Sequence, residues 1–172
     1  MSSSQPTLYL FIGYPGAGKT TVAKVIAEAT GAFHLWADHE RLKLFKKPTH
    51  KEAESLELYE QLNEATEYLL SQGRSVIFDT NFNHLKDRQH LRQIAAQHQA
   101  KVVTIWVTTP KSVAKQRAVH DNNLRNGYEM IMTDAQFEAI AAKLEPPTKD
   151  EKIIKIDGLK LDSAAVKQLL QL

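Results

Sequence analysis

The sequence predicts an α/β fold, a three-layer α/β/α sandwich on a parallel sheet of about five strands. Three observations carry this expectation. Short apolar, β-prone runs alternate with longer segments of helical period along the chain. The first run, Leu8-Tyr9-Leu10-Phe11-Ile12, passes at once into a glycine-rich turn and then into a helical pattern. No repeat, low-complexity tract or linker interrupts the alternation, so residues 1–172 read as one domain.

The elements follow in order. Leu8–Ile12 is a buried parallel strand, and Thr20–Ala29 a helix with Val22, Val25, Ile26 and Ala29 on one face, stopped by Gly31. Ala32–Trp36 is a second strand, which delivers Ala37-Asp38-His39-Glu40-Arg41 to a strand end; Arg41–Phe45 then turns into a short helix. Lys51–Gln72 is the longest helical signal, with Leu56, Tyr59, Leu62, Leu69 and Leu70 recurring at three- and four-residue steps and Gly73 ending it. Ser75–Phe78 is the third strand and leads into Asp79-Thr80-Asn81-Phe82-Asn83. His84–Gln99 is a polar-faced helix with Leu91, Ile94 and Ala95 inward, and Lys101–Val107 is a β-branched fourth strand. Thr109 as N-cap and Pro110 at the first helical position start a helix running towards His120. Asp121–Met132 is polar and aperiodic, a loop or lid. Thr133-Asp134-Ala135-Gln136 resembles a capping box before Phe137, Ile140, Ala141 and Leu144, and Pro146-Pro147 stops that helix. Lys152–Ile156 is a fifth strand, and Asp162–Leu170 a closing helix with Ala165, Val166, Leu169 and Leu170 on one side.

Composition narrows the class. Hydrophobic residues make up 42% and charged residues 24%, as in ordinary globular proteins. With no cysteine there is neither a disulfide framework nor a thiolate metal site, which fits a cytoplasmic location. Residues 1–6 have no basic and apolar signal-peptide pattern, and no apolar run is long enough for a bilayer. A net charge of +2 suits an anionic ligand without pointing to nucleic acid. No obligate protein partner is evident.

Chemistry concentrates in Gly13-Tyr14-Pro15-Gly16-Ala17-Gly18-Lys19-Thr20, which satisfies G-x-x-x-x-G-K-[ST] at every fixed position and lies between a strand and a helix. Inward-pointing N–H groups of such a loop, with the positive end of the next helix, form a nest for phosphate oxygens. Residues 13–21, Thr21 included, are therefore expected to bind ATP; Lys19 reaches the β- and γ-phosphates, and Thr20 offers its hydroxyl to Mg²⁺. The fold expectation sharpens to a P-loop NTPase of the nucleoside-kinase-like kind.

Phosphoryl transfer needs positioning, charge neutralisation and one group to manage the hydroxyl proton. Asp38, just past a strand end, is the candidate general base, or else a helix N-cap. Arg41 shares its face if the turn is helical, either as a site residue or as half of a surface ion pair. Asp79 ends a strand beside the P-loop strand and can meet Mg²⁺ through water or bind substrate. Arg117 is a lid group or part of a solvated helix face, and Arg88 reads as surface charge. Thr148-Lys149-Asp150-Glu151 departs from a guanine-reading motif by one position, the histidines lack metal-site spacing, and Tyr9, Phe11, Phe78 and Trp106 read as core.

GYPGAGKTT, Asp38-x-x-Arg41, Asp79-Thr80-Asn81-x-Asn83 and a late arginine-bearing segment together resemble the P-loop kinases related to polynucleotide 5′-hydroxyl kinase, with zeta-toxin-like kinases as more distant relatives. The resemblance spans Leu8 to about Lys143. It implies an ATP- and Mg²⁺-dependent kinase with Asp38 as base, Arg41 on an acceptor phosphate, Asp79 and Asn81 at the acceptor end, and Arg117 and Arg125 as arginines of a lid around residues 117–132. The leading acceptor is a polynucleotide 5′-hydroxyl. A small-molecule kinase (sugar, nucleoside or antibiotic) and a nucleotide-dependent regulatory protein are the alternatives.

Overall fold

The computed structural model describes residues 5–121 and 132–172. Five strands, β1 (Thr7–Ile12), β2 (Phe33–Trp36), β3 (Val76–Asp79), β4 (Lys101–Thr108) and β5 (Ile153–Asp157), form one parallel sheet in the order β2-β3-β1-β4-β5. Helices α1 (Lys19–Thr30), α2 (Ala37–Leu44), α3 (Glu52–Ser71), α4 (Leu85–Gln97), α5 (Lys111–Lys115), α6 (Asp134–Ala141) and α7 (Ser163–Leu170) connect and cover it. The predicted three-layer sandwich is the observed one. Alternate residues of β1 explain it: Leu8 and Leu10 pack with Phe78, Leu62 and Leu91 on the α3/α4 face, whereas Tyr9 and Phe11 pack with Val22, Ile26 and Val166 on the α1/α7 face.

This strand order decides where a ligand can sit. β2 and β3 lie on one side of β1 and β4 and β5 on the other, so the strand order switches at β1. The crevice outside the carboxyl ends of the strands opens there, and the glycine-rich loop fills that position.

Several local expectations need correction. Helix α2 begins at Ala37 with Trp36 as its N-cap, so Asp38 lies inside the first turn and caps nothing. In α3 the inward residues are Leu58, Leu62, Thr66, Leu69 and Leu70, while Leu56 is 65% exposed. Leu58 lies one helical turn before Leu62, on the face that a pattern begun at Leu56 leaves out. Leu169 of α7 is exposed too. Pro110 rather than Thr109 is the N-cap of α5, and the Thr109 hydroxyl donates instead to the Ala17 carbonyl at 2.8 Å. A π-helical turn, Gln116–His120, continues α5. The capping box before α6 is present in both directions, Gln136 N–H to the Thr133 hydroxyl and Thr133 N–H to the Gln136 side chain.

The largest correction is Arg88, which is fully buried instead of being surface charge. Its guanidinium donates through Nε and Nη2 to the two Glu151 oxygens at 2.7 and 2.9 Å, and through Nη1 to the Phe82 carbonyl at 2.9 Å. Burial opposes the charge on Glu151, but Arg88, the Thr148 N–H and Arg92 outweigh it and hold the carboxyl below its ordinary range. Helix α4, the loop after β3 and the segment before β5 are thereby tied at one point.

Candidate nucleotide and phosphoryl-transfer site

The glycine-rich loop is shaped by close contacts. The Ala17 N–H donates to the Tyr14 carbonyl at 3.0 Å, closing the turn. Gly16 has φ +78°, and a Cβ there would overlap the Ala114 carbonyl oxygen of α5. Tyr14 leans outward against Phe137, with ring centroids 6.3 Å apart, and joins a small apolar cluster of α5 and α6 residues. Pro15 is buried, Thr20 is half-buried at the second position of α1, and Thr21 is exposed.

Lys19 is 8% exposed and folds back on the loop, donating to the Gly13 carbonyl at 3.2 Å and the Tyr14 carbonyl at 2.7 Å. Burial pushes its ammonium down to about 8, against the pull of the Asp79 and Asp38 carboxylates. The Gly13 N–H is accepted by the Asn83 side chain at 3.4 Å. That residue's placement is fixed in turn by the Glu145 N–H on its carbonyl at 2.8 Å and by Phe82, whose N–H donates to the Phe11 carbonyl at 3.1 Å.

Two carboxylates act electrostatically on Lys19. Asp38 comes from the first turn of α2, and Asp79 is the last residue of β3, opposite Trp36 in the register of β2 with β3. Burial raises the Asp38 carboxyl above its ordinary range, the Asp79 charge adds to this, and Lys19, Arg41 and His50 oppose it. Asp79 is 3% exposed and takes a 3.0 Å hydrogen bond from His34 Nε2 on its Oδ2. Over the same corner, the Tyr59 hydroxyl of α3 meets the Thr80 hydroxyl at 2.8 Å. Asn81 keeps a buried Oδ1 with no hydrogen-bond partner among the described residues.

Not every expected residue joins this cluster. Arg41 is 7% exposed, but its guanidinium is engaged with Glu54 at 2.6 Å and Ser55 at 3.2 Å on α3. Burial opposes the charge on Glu54, yet hydrogen bonds from Thr49 and Arg41 and the His50 N–H bring it down to about 2. Arg41 is thus neither the surface pair nor the open acceptor clamp of the sequence reading. Arg117, on the π-helical turn, donates to the Gly158 carbonyl at 3.0 Å, towards the loop after β5. Arg125 and most of the expected lid lie outside the described residues. Sequence reasoning missed His34, Tyr59, Glu54 and Arg88. Of the residues it left unassigned, Asn83 alone carried a signal, as the last residue of the DTNFN stretch.

No group of three or more His, Asp or Glu gathers for a metal among the described residues. Mg²⁺ suits this, because it keeps waters and phosphate oxygens and takes one or two protein oxygens. Thr20 and Asp79 are the residues that would hold it. No helix among the described residues is long and apolar enough to cross a membrane.

A parallel sheet with a phosphate-type loop at its switch point and two carboxylates, one of them buried, acting on the loop lysine defines a P-loop fold of the kinase-like type. A family model described as an AAA domain, AAA_33, matches residues 8–147, and the chain belongs to that family. Among solved structures it is similar to a sugar kinase from Janibacter sp. HTCC2649 (19% identity, 97% of this chain and 95% of that one, TM-score 0.68). It is similar to the APS kinase CysC of Mycobacterium tuberculosis in complex with AMPPNP and APS (17% identity, 98% and 99%, TM-score 0.66). A chain of the Pnkp1/Rnl/Hen1 RNA repair complex matches over 81% of this chain but 44% of its own length (18% identity, TM-score 0.67). No curated protein matches the chain in sequence.

Proposed function

We propose that the protein is an ATP-dependent phosphotransferase that moves the γ-phosphoryl group to an acceptor hydroxyl. One observation carries the reading: Asp38 in the first turn of α2 and Asp79 at the end of β3 lie near enough to the loop lysine for their charges to act on it, and burial raises the Asp38 carboxyl. A base with a raised pKa is better matched to taking a hydroxyl proton near neutral pH than an ordinary carboxylate. In the reaction, Asp38 accepts the proton as the acceptor oxygen bonds to the γ-phosphorus. The bond from phosphorus to the β,γ-bridging oxygen breaks, and ADP leaves. Lys19 exchanges the Gly13 and Tyr14 carbonyls for phosphate oxygens and neutralises their charge. Bound Mg²⁺ would supply further charge neutralisation at the β- and γ-oxygens. The likeness to a sugar kinase and to an APS kinase supports the reaction class.

The acceptor hydroxyl belongs to a small molecule. Occupation of Arg41 by Glu54 favours this over a polynucleotide 5′-end, because the side chain expected to hold a nucleic-acid phosphate is already paired. The full-length likeness to the two small-molecule kinases supports the same choice, while the RNA repair neighbour keeps the 5′-hydroxyl as the competing acceptor. The test is incubation with γ-labelled ATP and Mg²⁺ against a panel of sugars, nucleosides and nucleotides alongside a 5′-OH oligonucleotide. Label on a panel metabolite and none on the oligonucleotide is expected; the reverse overturns the acceptor assignment. ATP binding without transfer to anything offered favours a regulatory protein.

A further inference from the structure

We propose that His34 is a positioning residue for Asp79: it fixes the carboxylate so that its second oxygen faces a divalent cation carried by the bound nucleotide. The inference rests on the kinase reading above and extends it to a residue outside the phosphate loop.

The geometry begins on β2. His34 and Trp36 are two apart, so they share the sheet face that α1 covers. Their rings are stacked, 12° from parallel with centroids 6.0 Å apart, and Lys24 of α1 lies 5.4 Å above the Trp36 ring. His34 is paired with Ile77 in the register, and its ring reaches along the strand direction to Asp79, whose own pair is Trp36. The ring is held by stacking, and its Nε2 sits 3.0 Å from Asp79 Oδ2. Asp79 as a carboxylate can only accept, so Nε2 carries the proton in this contact.

β2 is the outer strand of the sheet on that side, and the His34 side chain is 19% exposed. Packing alone does not require an imidazole there; an aliphatic side chain would cover the same surface. What the imidazole adds is a donor at the reach of Asp79. With Oδ2 taken by His34, Oδ1 is the oxygen left to a cation, in the single-oxygen or water-bridged mode that Mg²⁺ accepts. The Asp79 charge also acts on Lys19 and on Asp38, so its orientation governs the field at both. Partners of this type around metal-binding side chains change affinity by about 10- to 100-fold when removed.

Two substitutions separate positioning from packing. His34→Phe keeps a ring to stack on Trp36 and removes the donor; His34→Gln keeps an N–H donor at similar reach. The first readout needs no catalysis: Mn²⁺ binding to the chain saturated with a non-hydrolysable ATP analogue, followed by electron paramagnetic resonance. We expect His34→Phe to weaken Mn²⁺ about tenfold or more and His34→Gln to restore most of it, with nucleotide affinity in EDTA unchanged. In turnover, His34→Phe should raise the Mg²⁺ concentration for half-maximal rate and leave the acceptor KM unchanged. Equal Mn²⁺ affinity in all three chains overturns the proposal. So does an equal loss in both variants, or a shift in acceptor KM with Mn²⁺ affinity intact. Should the wild type bind the analogue with Mn²⁺ and yet phosphorylate no acceptor, the phosphotransferase reading falls while the His34 comparison still decides this one.

Discussion

On the proposed reading, Asp38 and Lys19 should set the pH behaviour of the site. The Asp38 carboxyl is raised above the ordinary value of 3.8, first by burial and then by Asp79, so the acidic limb of the transfer rate should lie above that value. Asp79→Asn removes the neighbouring negative charge and should move the limb down in a pH–rate profile of kcat/KM; no movement would show that the two carboxylates are not coupled. Lys19 is pushed down to about 8, so in the nucleotide-free chain its charge is lost as pH rises through that value. Nucleotide affinity measured by calorimetry should accordingly weaken on the alkaline side. Asp38→Asn keeps the shape and removes the base: transfer should fall about 10²- to 10⁴-fold while the ATP analogue still binds. Asp38 and Lys19 were legible because motif and strand end mark them. His34 was not, since nothing in Phe33-His34-Leu35-Trp36 says which residue of another strand its ring will meet.

The loops at the carboxyl edge are held by ties between distant segments. Arg88 of α4 and Glu151 before β5 lie 63 residues apart and are both essentially buried. Glu151→Gln leaves the guanidinium short of its counter-charge, which typically costs about 3–5 kcal/mol in a buried pair; urea unfolding at neutral pH measures it. Because the Glu151 carboxyl is depressed on folding, its contribution is present above the ordinary value of 4.5 and is lost as pH falls through the folded-state value. The variant should therefore lose part of the acid dependence of stability below about pH 4.5. Gly158, after β5, is a second tie: a Cβ there would overlap the Thr109 hydroxyl and sit 2.6 Å from the Ala17 carbonyl of the phosphate loop. Gly158→Ala should cost about 1–3 kcal/mol as an overpacked contact and also weaken nucleotide binding. A stability loss with unchanged binding would uncouple Gly158 from the loop. Neither tie is readable along the chain. Arg88 follows DTNFN on a polar helix, where burial depends on Glu151 arriving from the far side of β4, and Gly158 carries no motif.

Across the whole molecule, topology decides which side chains meet. The strand–helix alternation and its periods made all five strands and the sandwich legible, because buried parallel strands read as apolar runs whatever their order. The order β2-β3-β1-β4-β5 became visible in the structure, and with it the placing of β3 and β2, which bring Asp79 and Asp38 to the same side of β1. Nucleotide bound there should stabilise the whole fold by mass action, about 2.7 kcal/mol at a hundredfold excess over Kd, or roughly 5–10 °C in Tm for a chain of this size. Lys19→Ala should abolish that shift. The most direct measurement is a crystal structure with a non-hydrolysable ATP analogue and Mg²⁺. The account predicts the terminal phosphate over Lys19, with the ammonium moved off the Gly13 and Tyr14 carbonyls and the Asp38 carboxylate facing the phosphorus. A nucleotide seated elsewhere on the molecule, or Asp38 turned away from the phosphate, would contradict it.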